Sequence, residues 1–437
     1  MTSGSHWRSV LAEVNQAGCC SHPVRLRGIT LDRRTGELAD GAIVVPCKDR
    51  RAAVCPSCSR LYQSDAWHLV AAGIRGGKGV SAGVVEHPQL FVTLTAPSFG
   101  PLHRASRSAE APRPCRPRRN GGWCPHEVPL SCTARHAEGD PLVGEPLCPE
   151  CFDYRGAVLW NAHVPRLWER TSLNLYLEVA RARGLSDRQV RAVVRLSYIK
   201  VVEFQRRGLV HLHVVVRADG REGPDEAPPP WLDAEVLTAA VGRAIARSAV
   251  AVPPVDGTEL TRASWGPEHD IRVLIPSGEA DSAAIAAYVA KYATKTADGT
   301  GSLAHPIRSA AQLERLGVRP HIAALVRTAW ALGRVTVVAP LSLRAHAHTL
   351  GYTGQFSSKS VRYSTTFTAL REARALYVKG SLGGEPDYDG EWRFSGRGYS
   401  EQAAEELAAS LFEASRRVPE LVPPSSTQGS TNTSTAP

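Results

Sequence analysis

At 437 residues the chain is long enough for about two or three domains, each with its own core. Its 52 Lys and Arg against 42 Asp and Glu leave a formal charge of +10, a surplus that suits a polyanionic partner. Apolar residues make up 43%, no apolar run reaches the ~18 residues of a membrane span, and no charged-then-apolar leader opens the chain, so a cytoplasmic protein with no membrane partner is expected.

All ten cysteines fall before residue 152, and in a cytoplasmic chain metal binding is a better use for them than disulfides. Cys55-Pro56-Ser57-Cys58 has the spacing of two thiolates on one tetrahedral zinc. Cys47 and either Cys19 or Cys20 complete a four-cysteine site, with Cys20 our choice. A helix is expected over 59–75, closed by Gly76-Gly77-Lys78-Gly79; lacking the Walker spacing and a preceding strand, that loop reads as a turn. The β-branched and aromatic run Gln89–Thr95 predicts a strand, stopped at Ala96-Pro97. Residues 104–126 form a basic, Pro- and Gly-rich loop whose arginines either meet phosphates or stay solvated. A second CxxC follows at Cys148 and Cys151. The spacing leaves its upstream partners open: Cys124 and Cys132 are chosen, with Cys115, His126 and His136 in reserve, for two structural zinc ions in all.

Residues 156–192 look helical, with Trp160 and Trp168 as core. A strand over 195–204, the polar turn Gln205-Arg206-Arg207-Gly208 and the run Leu209–Val216 predict an antiparallel hairpin. Strand alternation puts His211 and His213 on one face, where a shared divalent metal would partner both imidazoles. Two core histidines would give the same pattern. A three-residue loop would set Glu203 opposite His211; a loop of two or four would turn it to the other face, and Gln205 shares its parity. A helix at 232–250 and a strand at 270–275 come next. The Ala-rich stretch 281–295 predicts a helix with Tyr288 and Tyr292 at i and i+4, and Lys295 a turn beyond Tyr292. Helix is then expected to residue 335 and again over 401–417, with a polar surface element at 344–367 between. The domains expected are 1–84 (zinc-binding), 85–300 with a zinc-binding insertion at about 104–155, and 301–420 (mainly helical), before a disordered tail at 421–437.

In this order Phe91-Val92-Thr93-Leu94-Thr95, the apolar-His-apolar-His-apolar run at 209–215 and Tyr292-Ala293-Thr294-Lys295 resemble the three motifs of the HUH endonucleases, the rolling-circle replication initiators. From about residue 19 to about residue 375 the chain is similar to the initiators of actinobacterial plasmids and integrative elements. The resemblance implies an α+β fold: an HUH-type antiparallel sheet with the HxH strand central and flanking helices on one side, plus zinc-binding insertions. It implies an endonuclease that nicks origin DNA, with Tyr292 as nucleophile, Tyr288 as second tyrosine and Lys295 beside them. His211, His213 and Glu203 would hold Mg²⁺ or Mn²⁺, and Arg206, Arg207 and Lys291 would contact DNA. The product would be a 5′-phosphotyrosyl enzyme and a free 3′-OH primer. Single-stranded or supercoiled origin DNA, a host helicase and a polymerase are the expected partners. An HUH relaxase or transposase would use the same chemistry; a non-catalytic, zinc-stabilised DNA-binding regulator would use none of it.

Overall fold

The computed structural model describes residues 3–32, 35–106, 113–274, 279–294, 303, 305–381 and 388–417. In chain order its elements are α1 (Ser3–Gln16), β1 (Val24–Asp32), β2 (Leu38–Val45), α2 (Pro56–Arg75), β3 (Gln89–Thr95), α3 (Tyr154–Arg183), α4 (Asp187–Val193), β4 (Val194–Phe204), β5 (Val210–Gly220), α5 (Ala234–Arg247), β6 (Ala249–Ala251), β7 (Arg262–Ser264), β8 (His269–Val273), α6 (Glu279–Thr294), α7 (Ala310–Arg315), α8 (Pro320–Leu332), β9 (Ser357–Lys359), α9 (Phe367–Ser381), β10 (Tyr388–Arg397) and α10 (Gln402–Arg417). The fold class is α+β.

Two compact units divide the chain, residues 1–48 with 386–437 and residues 49–385. In the first, β1 is the middle of an antiparallel sheet ordered β10-β1-β2. Because β10 pairs with β1, this unit joins an N-terminal segment to a C-terminal one.

The second unit is built on a five-stranded antiparallel sheet ordered β8-β3-β5-β4-β9, so the HxH strand β5 is central. Val92, Leu94, Val202, Leu212 and Val214 join the larger core with residues of α3, α5 and α8. Ile199, Val201 and Val215, of opposite parity, join a second core with Ala66, Leu69 and Val70 of α2 and Ala286 and Val289 of α6. Helices therefore cover both faces, not one. Every residue of β5 except His211 is buried, as befits a strand covered on both sides.

The turn between β4 and β5 sets the register. Glu203 pairs with His211 and Phe204 with Val210, and the Gln205 amide donates to Leu209 O at 2.9 Å. Arg206-Arg207-Gly208 is thus a three-residue loop closed by a residue at φ +72, a conformation that favours glycine. A Cβ at Gly208 would also stand 2.3 Å from Leu325 Cδ1 of α8. The predicted helix 156–192 is two helices, broken at left-handed Gly184 and restarted by the Ser186–Gln189 capping box. The stretch expected to be helical up to 335 contains α7 and α8, with Gly317 at positive φ between them.

Candidate functional site

β3, β5 and β4 lie side by side, and their registers bring chosen side chains onto one face. Thr93 pairs with His213 and Thr95 with His211. Glu203 pairs with His211 from the other side and also reaches His213, with Oε2 3.4 Å from Nε2. The imidazoles of His211 and His213 lie 4.7 Å apart, nearly perpendicular at 86°. Thr93 Oγ1 is 3.3 Å from His213 Nδ1, and Thr95 Oγ1 is 3.4 Å from His211 Nδ1. Gln205 Nε2 is 3.5 Å from the same His211 nitrogen. The two threonines sit in the Phe91–Thr95 motif, and strand parity alone would have singled them out.

A cleft of about 730 Å³ opens over this face, lined among others by Phe91, Thr93, His211, His213, Asp270 and Tyr288. Tyr288, on α6, stands edge-on to the His213 ring at 5.0 Å and to Phe91 at 5.9 Å. Phe91 in turn lies parallel to His213 at 5.9 Å. The backbone of α6 runs on through Tyr292, whose side chain lies outside what is described, as does all of Lys295. Lys291 is exposed on the same helix. Asp270 and Arg272, an ion pair at 2.6 Å on β8, also line the cleft and carried no sequence signal.

Burial, then the neighbouring His213 and Arg207, pushes the His211 pKa down to about 3. Its imidazole is therefore neutral at physiological pH, with a lone pair to offer. Two histidines and a glutamate on one face suit a divalent cation with open positions. Arg207 is turned inward: its guanidinium donates to Ala96 O at 3.0 Å, Pro97 O at 3.2 Å and Gln205 Oε1 at 2.7 Å. These bonds hold the turn against the end of β3. Arg206 and Arg207 both line a neighbouring cleft.

The cysteines between β3 and α3 divide into two four-donor sets, His103/Cys115/Cys132/His136 and Cys124/His126/Cys148/Cys151. In each, the donor atoms lie within 4.8 Å of one another. Tetrahedral zinc with bonds of about 2.0–2.3 Å has ligand–ligand edges of roughly 3.3–3.8 Å. Cys132 Sγ–His136 Nε2 at 3.5 Å, Cys115 Sγ–His103 Nδ1 at 3.8 Å and Cys148 Sγ–His126 Nδ1 at 3.6 Å match that spacing. His136 Nδ1 meets Asp140 Oδ2 at 2.7 Å, the carboxylate support often found behind a zinc-bound imidazole. Both sets could hold structural zinc.

The expected pairing of Cys132 with Cys124 is thereby corrected. Arg116 bridges to Cys132, and the Cys115 amide donates to Ala134 O at 2.8 Å, which lays Cys115 beside Cys132. Trp123 bridges to Pro129 in a separate turn, which returns His126 to Cys124. His126, held in reserve, is a member, and His103 was missed because no second donor stands near it in sequence. In the first unit the Cys47 amide donates to Cys20 Sγ at 3.2 Å. In the second, Cys55 caps α2 and Cys58 lies in its first turn.

Among the described residues no helix is long and apolar enough to cross a membrane. No solved structure matches the chain. A replication initiator protein of Streptomyces ambofaciens is 40% identical over 383 residues, covering 84% of this chain and 79% of that one. The family model described as replication initiator protein, pSAM2, matches residues 6–413. With a family match over nearly its whole length, on a sheet that brings Glu203 to His213 beneath a cleft lined by His211, His213 and Tyr288 of α6, the chain belongs to this family of replication initiator proteins.

Proposed function

We propose that the chain is a plasmid replication initiator that nicks origin DNA by tyrosine attack and leaves a 3′-OH primer for rolling-circle synthesis. The observation that carries this reading is the meeting of His211, His213 and Tyr288 at one cleft, with Glu203 against His213, in a member of a replication initiator family. The Tyr292 oxygen attacks the scissile phosphorus, the bond from phosphorus to the 3′ oxygen breaks, and that oxygen leaves and takes up a proton. The 5′ phosphate stays on the tyrosine, and the reverse step rejoins the strand. A phenol has an ordinary pKa of about 10, so attack requires loss of its proton, which positive charge on Lys291 and Lys295 favours. A Mg²⁺ or Mn²⁺ ion held by His211, His213 and Glu203 would supply positive charge to the non-bridging oxygens.

Thr93 and Thr95 orient the two rings, and the half-buried, neutral His211 stays available as a donor across the physiological range. Tyr292 lies four residues, about 6 Å, beyond Tyr288 along α6, so Tyr288 serves the second, terminating cut. Zinc in the two Cys–His sets would stiffen loops that have little secondary structure of their own. Host helicase and polymerase would then extend the primer.

The test is incubation with supercoiled plasmid carrying the cognate origin and Mg²⁺. Nicked circles with protein joined at a 5′ end, and an adduct mapped to Tyr292, are expected. The His211→Ala/His213→Ala double variant should lose nicking and keep origin binding. Undiminished cleavage by that variant would remove the histidines from the chemistry, and nicking with no covalent adduct would remove the tyrosine.

A further inference from the structure

A second cleft, of about 360 Å³, begins where the first ends. Thr95 and Gln205, the two side chains beside His211 Nδ1, form one edge of it, and Arg104, Arg116 and Arg206 line it. Glu268 is the only carboxylate in that lining. Arg207, the fourth lining arginine, is held at the end of β3, whereas the other three are held by groups that belong to, or lie within two residues of, the His103/Cys115/Cys132/His136 set. Arg104 directly follows His103, and its amide donates to Cys115 Sγ at 3.1 Å. Arg116 directly follows Cys115, its amide donates to Cys132 O at 2.8 Å, and its Nε donates to Leu102 O at 3.1 Å. Arg206 donates to the carbonyl of Glu138, two residues after His136. Its stem lies on Gly144, where φ is +89 and a Cβ would come within 2.9 Å of it. The donor set that fits zinc is therefore also the frame on which three cations face one cavity.

We propose that this cleft holds backbone phosphates of the single strand next to the phosphate being cut, with the His103/Cys115/Cys132/His136 metal centre as its positioning element. The proposal rests on the nicking reading for the place of the cut, but not for the binding itself. Guanidinium groups suit phosphate oxygens because their paired N–H donors match them in geometry and charge. A cleft that begins at the Thr95 and Gln205 side chains beside His211 suits a single strand, since the adjoining nucleotides must pass somewhere once the scissile phosphate lies over His211 and His213.

Phosphate contacts carry no sequence information, so a fluorescein-labelled oligo(dT) is a sufficient probe. Its anisotropy is read without divalent ion across a salt series. For single strands each lost phosphate contact lowers the slope of log affinity against log salt by about 0.7, so Arg104→Ala/Arg116→Ala should lower it by about 1.4. The affinity should fall by roughly tenfold or more. Arg104→Lys/Arg116→Lys should keep most of the slope, and Arg188→Ala/Arg334→Ala, which removes two exposed charges elsewhere, should keep all of it. Cys115→Ser/Cys132→Ser should lose one zinc by elemental analysis together with the same slope. If that variant does not fold, the arginine variants decide alone. An unchanged slope and affinity in Arg104→Ala/Arg116→Ala would overturn the proposal, and a loss seen only with duplex probe would overturn the single-strand assignment. Normal oligonucleotide binding without any nicking would instead sink the nicking reading and leave the cleft standing.

Discussion

Asn161 on α3 is the side chain that ties the histidine hairpin to the core. It is fully buried, and its amide donates to Gly208 O and to Leu350 O, each at 3.0 Å. Its Oδ1 accepts from the Val210 amide, also at 3.0 Å. Two of these three bonds grip the turn that sets Glu203 opposite His211. Asn161→Ala removes all three, at about 1 kcal/mol each, and leaves buried backbone groups unsatisfied at about 1–3 kcal/mol each wherever water cannot reach them. The expected loss is about 3–5 kcal/mol, a large part of the roughly 5–15 kcal/mol that holds a domain folded. Urea unfolding followed by tryptophan fluorescence gives the loss. Hydrogen exchange over 205–213 gives its location, because the Val210 amide loses its acceptor. A loss below about 1 kcal/mol, with protection at Val210 unchanged, would refute the idea that this amide clamps the turn.

Two other outcomes follow from buried chemistry. Lys200, 7% exposed on β4, has its pKa pushed down to about 8 by burial. Between that value and the ordinary lysine value near 10.5 the unfolded chain binds more protons, so stability should rise with pH across that window. Lys200→Met should therefore stabilise the protein by about 2–3 kcal/mol at pH 7, with a gain that fades above about pH 10; a gain that grows with pH, read by urea unfolding, would contradict the sign. For the metals, Cys132→Ser should remove one zinc by elemental analysis and leave the Cys124/His126/Cys148/Cys151 set loaded, whereas loss of that second ion would restore the pairing of Cys132 with Cys124.

How much of this was legible in sequence depended on whether a local rule was enough. Strand parity placed His211 with His213, but it left Glu203 on their face or off it until the structure showed a three-residue loop closed by Gly208. The i, i+4 spacing of Tyr288 and Tyr292 likewise needed only a helix. The cysteines were different. The stretch from 103 to 151 holds more candidate donors than one zinc can use, and which of them meet depends on two small turns set by backbone bonds at Arg116 and Trp123. Spacing carries no record of those bonds. The pairing of β10 with β1 spans most of the chain and was equally out of reach.

Arg206 and Arg207 show the limit most sharply, since they are adjacent, alike in charge and expected together at DNA. Ala96 O and Pro97 O at the end of β3 take up the guanidinium of Arg207, and burial lowers its pKa to about 10. Arg206 instead extends over Gly144 into the cleft beside the insertion. In a loop closed by a left-handed residue, neighbouring side chains leave in different directions, and only what surrounds the loop decides which backbone carbonyls each one meets, Ala96 and Pro97 for Arg207 and Glu138 for Arg206. The charge of a motif can be read from its letters; the direction in which that charge points belongs to the turn and its neighbours.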